Sequence, residues 1–102
     1  MMRITAVVAL FSELEEAELL AWVERGWVRS EPDLVFHDVD VARIRLIHDL
    51  RHGMGVPADT MPLVLSLLDQ IYELRGMTRA LLNAVEAQPE PVRAAILAGL
   101  RR

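Results

Sequence analysis

Residues 64–85 read VLSLLDQIYELRGMTRALLNAV, and this stretch decides the fold class of the chain. Its apolar positions recur in alternating steps of three and four, which is the spacing of a coiled-coil seam. The seam positions are Val64, Leu67, Ile71, Leu74, Thr78, Leu81 and Val85. The pattern predicts one long helix that either continues through Gly76 or bends there. We expect this helix to pair with its counterpart in a homodimer. The predicted dimer seam consists of Val64, Leu67, Ile71, Leu74 and Leu81.

Two shorter helices are predicted at the amino-terminal end of the chain. An apolar piece at residues 6–11 forms the first, and residues 12–25 form the second. Ser12, with Glu15 three residues later, fits the amino-terminal cap of the second helix. Gly26 fits its end, because glycine readily takes the left-handed conformation that closes a helix.

The middle of the chain combines a turn, a short extended piece and a third helix. Residues 31–33, Glu-Pro-Asp, predict a turn before an extended segment at residues 34–36. The third helix begins near Asp38 or Asp40 and ends at the glycines that follow residue 52. Its predicted core stripe consists of Val39, Ala42, Leu46 and Leu50, widened by Ile44 and Ile47.

Proline separates the last predicted helix from the long one. The segment 88–91, Gln-Pro-Glu-Pro, breaks the helical pattern, and a short amphipathic helix follows it. The sequence therefore predicts an all-α protein with one helical domain at residues 1–87 and a helical tail at residues 88–102. Trp22 and Trp27 have apolar neighbours, so we expect them to pack in the core rather than form an exposed binding site.

Composition restricts the possible functions. The chain has 102 residues, no cysteine and a formal net charge of -4. The lack of cysteine excludes disulfides and thiolate chemistry, and the negative charge disfavours non-specific attraction to nucleic acid. We expect no signal peptide, and no apolar run in the sequence is long enough to cross a bilayer. We expect a cytoplasmic protein without membrane contact.

The order of these elements resembles the MerR-like winged helix-turn-helix, with a very short wing and a long C-terminal helix. The resemblance rests on residues 24–28, Pro32 and Phe36, and it spans most of residues 4–87. More specifically, the chain is similar to the chaperone modulator CbpM family. That likeness rests on Phe36-His37-Asp38, Leu50-Arg51-His52, Met61-Pro62 and the segment LLDQIYEL at residues 67–74.

The resemblance implies a regulator that binds the J domain of a CbpA/DnaJ-type co-chaperone and blocks its stimulation of Hsp70. Residues 20–22, Leu-Ala-Trp, stand where a DNA-binding MerR protein has Arg-Tyr-Tyr, so the phosphate clamp is missing. A DNA-binding transcriptional regulator of the MerR superfamily remains the alternative, and a dimerisation module of an unknown complex is a third possibility.

Acidic side chains are the candidate contacts for a basic J-domain helix, because opposite charges steer and pair the two surfaces. The candidate partner-binding residues are Glu15, Glu16, Asp38, Asp40, Asp69 and Glu73. His48 and His52 lie one helical turn apart, but two ligands without a third do not predict a metal site. We expect no enzymatic activity, catalytic residue or cofactor, because the serines and threonines stand in no triad context.

Overall fold

The computed structural model describes residues 1–101, and Arg102 lies outside the described residues. Within residues 1–101 the chain is mostly helical, with five α-helices, one π-helical turn and a small two-stranded antiparallel sheet. The elements in chain order are β1 (Met2–Arg3), α1 (Ile4–Val8), α2 (Glu16–Glu24), β2 (Val35–Phe36), α3 (Asp38–His48), the π turn (Asp49–Gly53), α4 (Met61–Glu86) and α5 (Glu90–Leu100). The predicted predominance of helix is confirmed.

The first helix begins and ends earlier than the sequence predicts. Helix α1 spans Ile4–Val8, whereas its predicted range was residues 6–11. Strand β1 precedes it directly, and a turn follows it. Phe11 lies after that turn and is still buried, so its apolar side chain belongs to the core without belonging to the helix.

Helix α2 begins at Glu16, so the prediction that Ser12 caps it is wrong. Glu15 occupies the cap position, and no side chain makes a capping hydrogen bond there. Between Ser12 and Glu15 the chain turns through Glu13, which has a positive φ of 60°. This turn buries Leu14 in the core. Burial of an apolar side chain therefore outweighs the local capping signal.

Strand β2 confirms the predicted extended segment at Val35 and Phe36, whereas Leu34 has a positive φ of 56° and belongs to the turn before it. It pairs antiparallel with β1, with Phe36 opposite Met2 and Val35 opposite Arg3. Phe36 is fully buried, which anchors the short sheet to the core. The partner of β2 is β1 at the start of the chain, and no local pattern in the sequence predicts that pairing.

Helix α3 begins at Asp38, as predicted, but its core stripe differs from the prediction. Val39 is 75% exposed, whereas Ile44 and Ile47 are fully buried. The buried stripe is thus centred on the isoleucines rather than on Val39 and Ala42. After His48 the backbone widens into the π turn, Asp49–Gly53, in which Leu50 is buried.

Helix α4 is continuous from Met61 to Glu86, so Gly76 causes no break in it. Residues 87–89 separate it from α5, which begins at Glu90, inside the break predicted at residues 88–91, because Pro91 is tolerated in the first turn of a helix. Among residues 1–101, no helix combines the length and the apolar character that crossing a membrane requires.

The chain divides into two compact units, residues 1–65 and residues 66–102, and the second is described to residue 101. The first unit contains the sheet, α1 to α3, the π turn and the first turn of α4. The second contains the rest of α4 and α5. The predicted boundary between residues 87 and 88 falls in the turn between α4 and α5.

Candidate functional site

Helix α2 is acidic and has no basic side chain. Its sequence from Glu16 to Glu24 is EAELLAWVE, with Glu16 and Glu18 in the first turn. Carboxylates are favourable there, because the free N–H groups of a helix start carry partial positive charge. Glu15, at the cap position, and Glu16 are both exposed. The start of α2 therefore presents two adjacent carboxylates to solvent.

Two histidines hold the start of α2 and the turn before it against α3 and the π turn. The Nε2 of His48 donates to the carbonyl oxygen of Ser12 at 2.7 Å. The Nε2 of His52 donates to Oε1 of Glu18, also at 2.7 Å. The two imidazole rings stack with their centroids 4.8 Å apart. These bonds fix the direction in which α2 starts, and with it the position of the exposed Glu15 and Glu16.

These hydrogen bonds of His48 and His52, which we call the histidine clamp, are not predictable from the sequence alone. The spacing of His48 and His52 places both rings on one helix face, but their partners lie more than thirty residues earlier in the chain. Among residues 1–101, no group of three His, Cys, Asp or Glu side chains is arranged to hold a metal ion. Both Nε2 atoms donate to protein oxygens, which makes the clamp a structural feature of the first unit.

Asp38 and Asp40 both lie in the first turn of α3, in different environments. Oδ2 of Asp40 accepts a hydrogen bond of 2.9 Å from the backbone N–H of His37, and the residue is half-buried. Asp40 thus stabilises the start of α3, as the acidic member of a capping box does. Asp38 is exposed. Of these two carboxylates, that of Asp38 is the more exposed to solvent.

The other two candidate acidic residues belong to the second unit. Asp69 and Glu73 are both exposed on α4, four residues apart and hence on one side of that helix. Of the candidate acidic residues, Glu15, Glu16, Asp38 and Asp40 belong to the first unit, and Asp69 and Glu73 belong to the second.

The predicted dimer seam lies largely on the surface. Leu67 is 52% exposed, Leu74 61% and Leu81 63%, and Ile71 is exposed as well. Val64, in the first unit, is half-buried. Apolar side chains repeated on one helix face usually meet another apolar surface. The exposed seam is thus a candidate protein contact on α4.

Six exposed side chains share one face of α4, and this face overlaps the seam. They are Ile71, Leu74, Arg75, Thr78, Arg79 and Leu82. The guanidinium carbon of Arg75 lies 6.0 Å from the centre of the Tyr72 ring, within the range of a cation–π contact. This face of α4 thus combines apolar side chains with two arginines along one edge.

The two tryptophans take the core positions that the sequence predicts. Trp22 is 2% exposed and Trp27 is 6% exposed, so neither forms an open binding site. Trp27 also anchors its surroundings through its backbone, because its carbonyl oxygen accepts a hydrogen bond of 2.9 Å from Nε of Arg43.

Comparison with known proteins gives no match. No family model, no curated protein and no solved structure is significantly similar to this chain.

Proposed function

We propose that this chain is a modulator of a J-domain co-chaperone, which binds the J domain through the acidic start of α2 and α3 and competes with Hsp70 for it. One observation carries the proposal: α2 exposes carboxylates and contains no Lys or Arg. In the proposed MerR-like arrangement α2 is the helix that would face DNA. A helix that reads DNA needs several cationic contacts with phosphate, which α2 lacks.

The electrostatics of the first unit support a cationic protein partner. Residues 1–65 carry eleven acidic and six basic side chains. J domains present a basic helix, so opposite charges accelerate the encounter and orient the two surfaces. Glu15, Glu16 and Asp38 are exposed and therefore available for pairing. The histidine clamp holds the start of α2 in place, which lowers the entropy lost when a partner binds.

The test uses the full chain and a purified J domain of a CbpA/DnaJ-type co-chaperone. Affinity is measured by calorimetry, and stimulation of the Hsp70 ATPase is measured in parallel. We expect binding that weakens as salt is added, and loss of ATPase stimulation. Neutralising two exposed carboxylates in Glu15→Gln/Glu16→Gln should weaken binding by about three- to tenfold, the effect of two exposed ion pairs.

A control with equal charge separates specific contacts from net charge. The double variant Asp59→Asn/Glu86→Gln also removes two exposed carboxylates, both outside α2 and the start of α3. It should bind almost as tightly as the unchanged chain. If both double variants weaken binding of the J domain equally, the overall charge of the chain determines the affinity and specific contacts do not. No binding of the J domain, with tight binding of duplex DNA at physiological salt, would reject the proposal in favour of a transcriptional regulator.

We also propose that the modulator is a homodimer paired through the seam on α4. The exposure of Leu67, Leu74 and Leu81 supports this, because a partner helix would remove them from water. Sedimentation equilibrium should give twice the mass of one chain. The variant Leu67→Asp/Leu81→Asp should be monomeric with unchanged helix content, since both side chains are exposed in the single chain. A monomeric unchanged protein would contradict the homodimer.

A further inference from the structure

Within the described part of the chain, no side chain of helix α5 is buried, although this helix is largely apolar. Its two charged residues are Glu90 and Arg93, and they form an ion pair with each other. The exposed large apolar side chains of α5 are Val92, Leu97 and Leu100. A helix of eleven residues is marginal in water unless it packs against another surface. The apolar side of α5 therefore calls for a surface beyond its own chain.

The apolar side chains of α5 lie next to one another on the helix. Val92, Ile96 and Leu100 follow one another in steps of four, which places them on one side of the helix. Leu97 widens this side, because it lies three residues before Leu100. Of these four side chains, that of Ile96 is half-buried and the others are exposed. The four together form an apolar face that a second helix can cover.

The exposed area of the chain indicates how much surface a partner covers. The chain of 11.5 kDa exposes 7380 Å². A folded monomer of that mass exposes roughly 5,800 Å², so the chain exposes roughly 1,600 Å² more than expected. A standard interface takes about 800 Å² and about 20–30 residues from each partner. The five residues of the predicted dimer seam are too few for such an interface, so further apolar residues belong to it.

We infer that α5 of one copy packs against α4 of a second copy, which extends the interface from the seam to α5. This inference rests on the proposed homodimer. On α4, Met77 lies four residues before Leu81, and Leu82 lies four residues after Thr78, so both stand beside the seam. Met77 and Leu82 are exposed in the single chain, so its own α5 does not cover them. The α5 of the second copy covers these flanking side chains and is covered by them.

The chemistry of α5 favours a second copy over a charged partner. Its apolar face carries no charge, and the guanidinium of Arg93 is already paired with Glu90. Nucleic acid and anionic lipid are bound through several unpaired cations, which α5 does not offer. The apolar side chains beside the seam are instead uncharged like the face of α5, and they lie next to a surface that the second copy already meets.

Sedimentation equilibrium of the full chain at several concentrations tests this inference. Val92→Gln/Leu100→Gln replaces two exposed apolar side chains of α5 by a residue that forms helix well. We expect the dimer to dissociate about 100-fold more readily, because each dimer loses four buried apolar side chains. The matched control is Val39→Gln/Met54→Gln, which removes two exposed apolar side chains from the first unit. It should form a dimer as the unchanged chain does.

A conservative variant separates the loss of contact from a loss of folding. Val92→Ile/Leu100→Met keeps both side chains apolar, so its dimer should be within about threefold of the unchanged chain in affinity. Trp22 and Trp27 are the two tryptophans of the chain, and both are buried in the first unit. Their fluorescence therefore reports whether that unit is folded in each variant, and circular dichroism reports the helix content.

Four results would overturn the inference, and they differ in what they say of the homodimer. If the glutamine variant of α5 dimerises as tightly as the unchanged chain, or no worse than the control, the seam holds the dimer without α5. If the conservative variant loses as much affinity as the glutamine variant, apolar contact is not the cause. If the unchanged chain is a monomer, the homodimer itself is wrong. If the glutamine variant keeps the dimer but no longer binds phosphatidylglycerol vesicles that the unchanged chain binds, α5 contacts lipid instead.

Discussion

The two units of this chain are stabilised in different ways. Thirteen apolar side chains of residues 1–65 are buried, among them Trp22, Phe36 and Ile44, whereas Val85 alone is buried within residues 66–101. The first unit is therefore held together by a hydrophobic core. The described part of the second unit depends on helical hydrogen bonds and helix propensity, which contribute little without packing. A unit with so few buried side chains can gain a hydrophobic interface by binding a partner.

Helix α4 shows the same difference within one element. Met61 is fully buried and Leu65 is 4% exposed, whereas Leu67 and the seam positions Ile71 and Leu74 are open to solvent. The seam itself shows the same change, because Val64 is half-buried and Val85 is buried, whereas the seam positions from Leu67 to Leu81 are exposed. Periodicity thus marks the face of the helix that meets an apolar surface, and says nothing of whether that surface belongs to the same chain.

Removing an apolar side chain should give the largest difference between the units in the free energy of unfolding. Trp22→Ala creates a cavity in the first unit and should lower the free energy of unfolding by about 3–5 kcal/mol. Leu81→Ala removes an exposed side chain from the second unit and should change it by less than about 0.5 kcal/mol in the monomer. Urea unfolding followed by tryptophan fluorescence and circular dichroism measures both. Similar losses for the two variants would mean that Leu81 is part of a core.

Removing a cap should give an effect of intermediate size. Asp40→Ala deletes the acceptor of the His37 backbone N–H and should cost about 1 kcal/mol of unfolding free energy. The matched control is Asp38→Ala, because Asp38 is exposed in the same helical turn. It should cost less, since only the favourable charge near the helix start is lost. If Asp38→Ala lowers the free energy of unfolding more than Asp40→Ala does, Asp40 does not cap α3.

Replacing a glycine by alanine should have the smallest effect on the free energy of unfolding, and the effect should have opposite signs in the two units. Gly76 lies within α4, and an added Cβ there meets no atom within 4 Å. Gly76→Ala should stabilise the helix by roughly 0.5–1 kcal/mol. Gly26 has a φ of 77°, so Gly26→Ala should destabilise the first unit by about 1 kcal/mol. Thermal melting followed by circular dichroism distinguishes the two. A lower melting temperature for Gly76→Ala would indicate that the site is not helical in solution.

Helices and their breaks were the features most readily predicted from the sequence. The long helix, the end of α2 at Gly26, the extended residues before α3 and the proline break before α5 all depend on local backbone preferences. The start of α2 was predicted wrongly, because Leu14 is buried at a position that local capping rules do not consider. The core stripe of α3 was shifted for a similar reason: several apolar positions compete on one helix, and the neighbouring elements select Ile44 and Ile47.

The candidate surfaces were predicted only as lists of charged or apolar residues. The sequence identified Asp38 and Asp40 together, and the structure separates them into an exposed carboxylate and a helix cap. It identified the spacing of His48 and His52 but not their partners Ser12 and Glu18. Hydrogen bonds between residues distant in the chain require the folded backbone, so no local pattern reveals them.

The sequence by itself determined the helical class, the negative charge and the absence of cysteine chemistry, because these follow from composition and from the short-range geometry of the backbone. Only the tertiary structure decided which apolar faces are buried, which carboxylates face solvent and which apolar side chains of α4 remain exposed. Burial and pairing depend on side chains that meet across the fold. Burial and pairing are therefore determined only when the helices and strands have packed against one another.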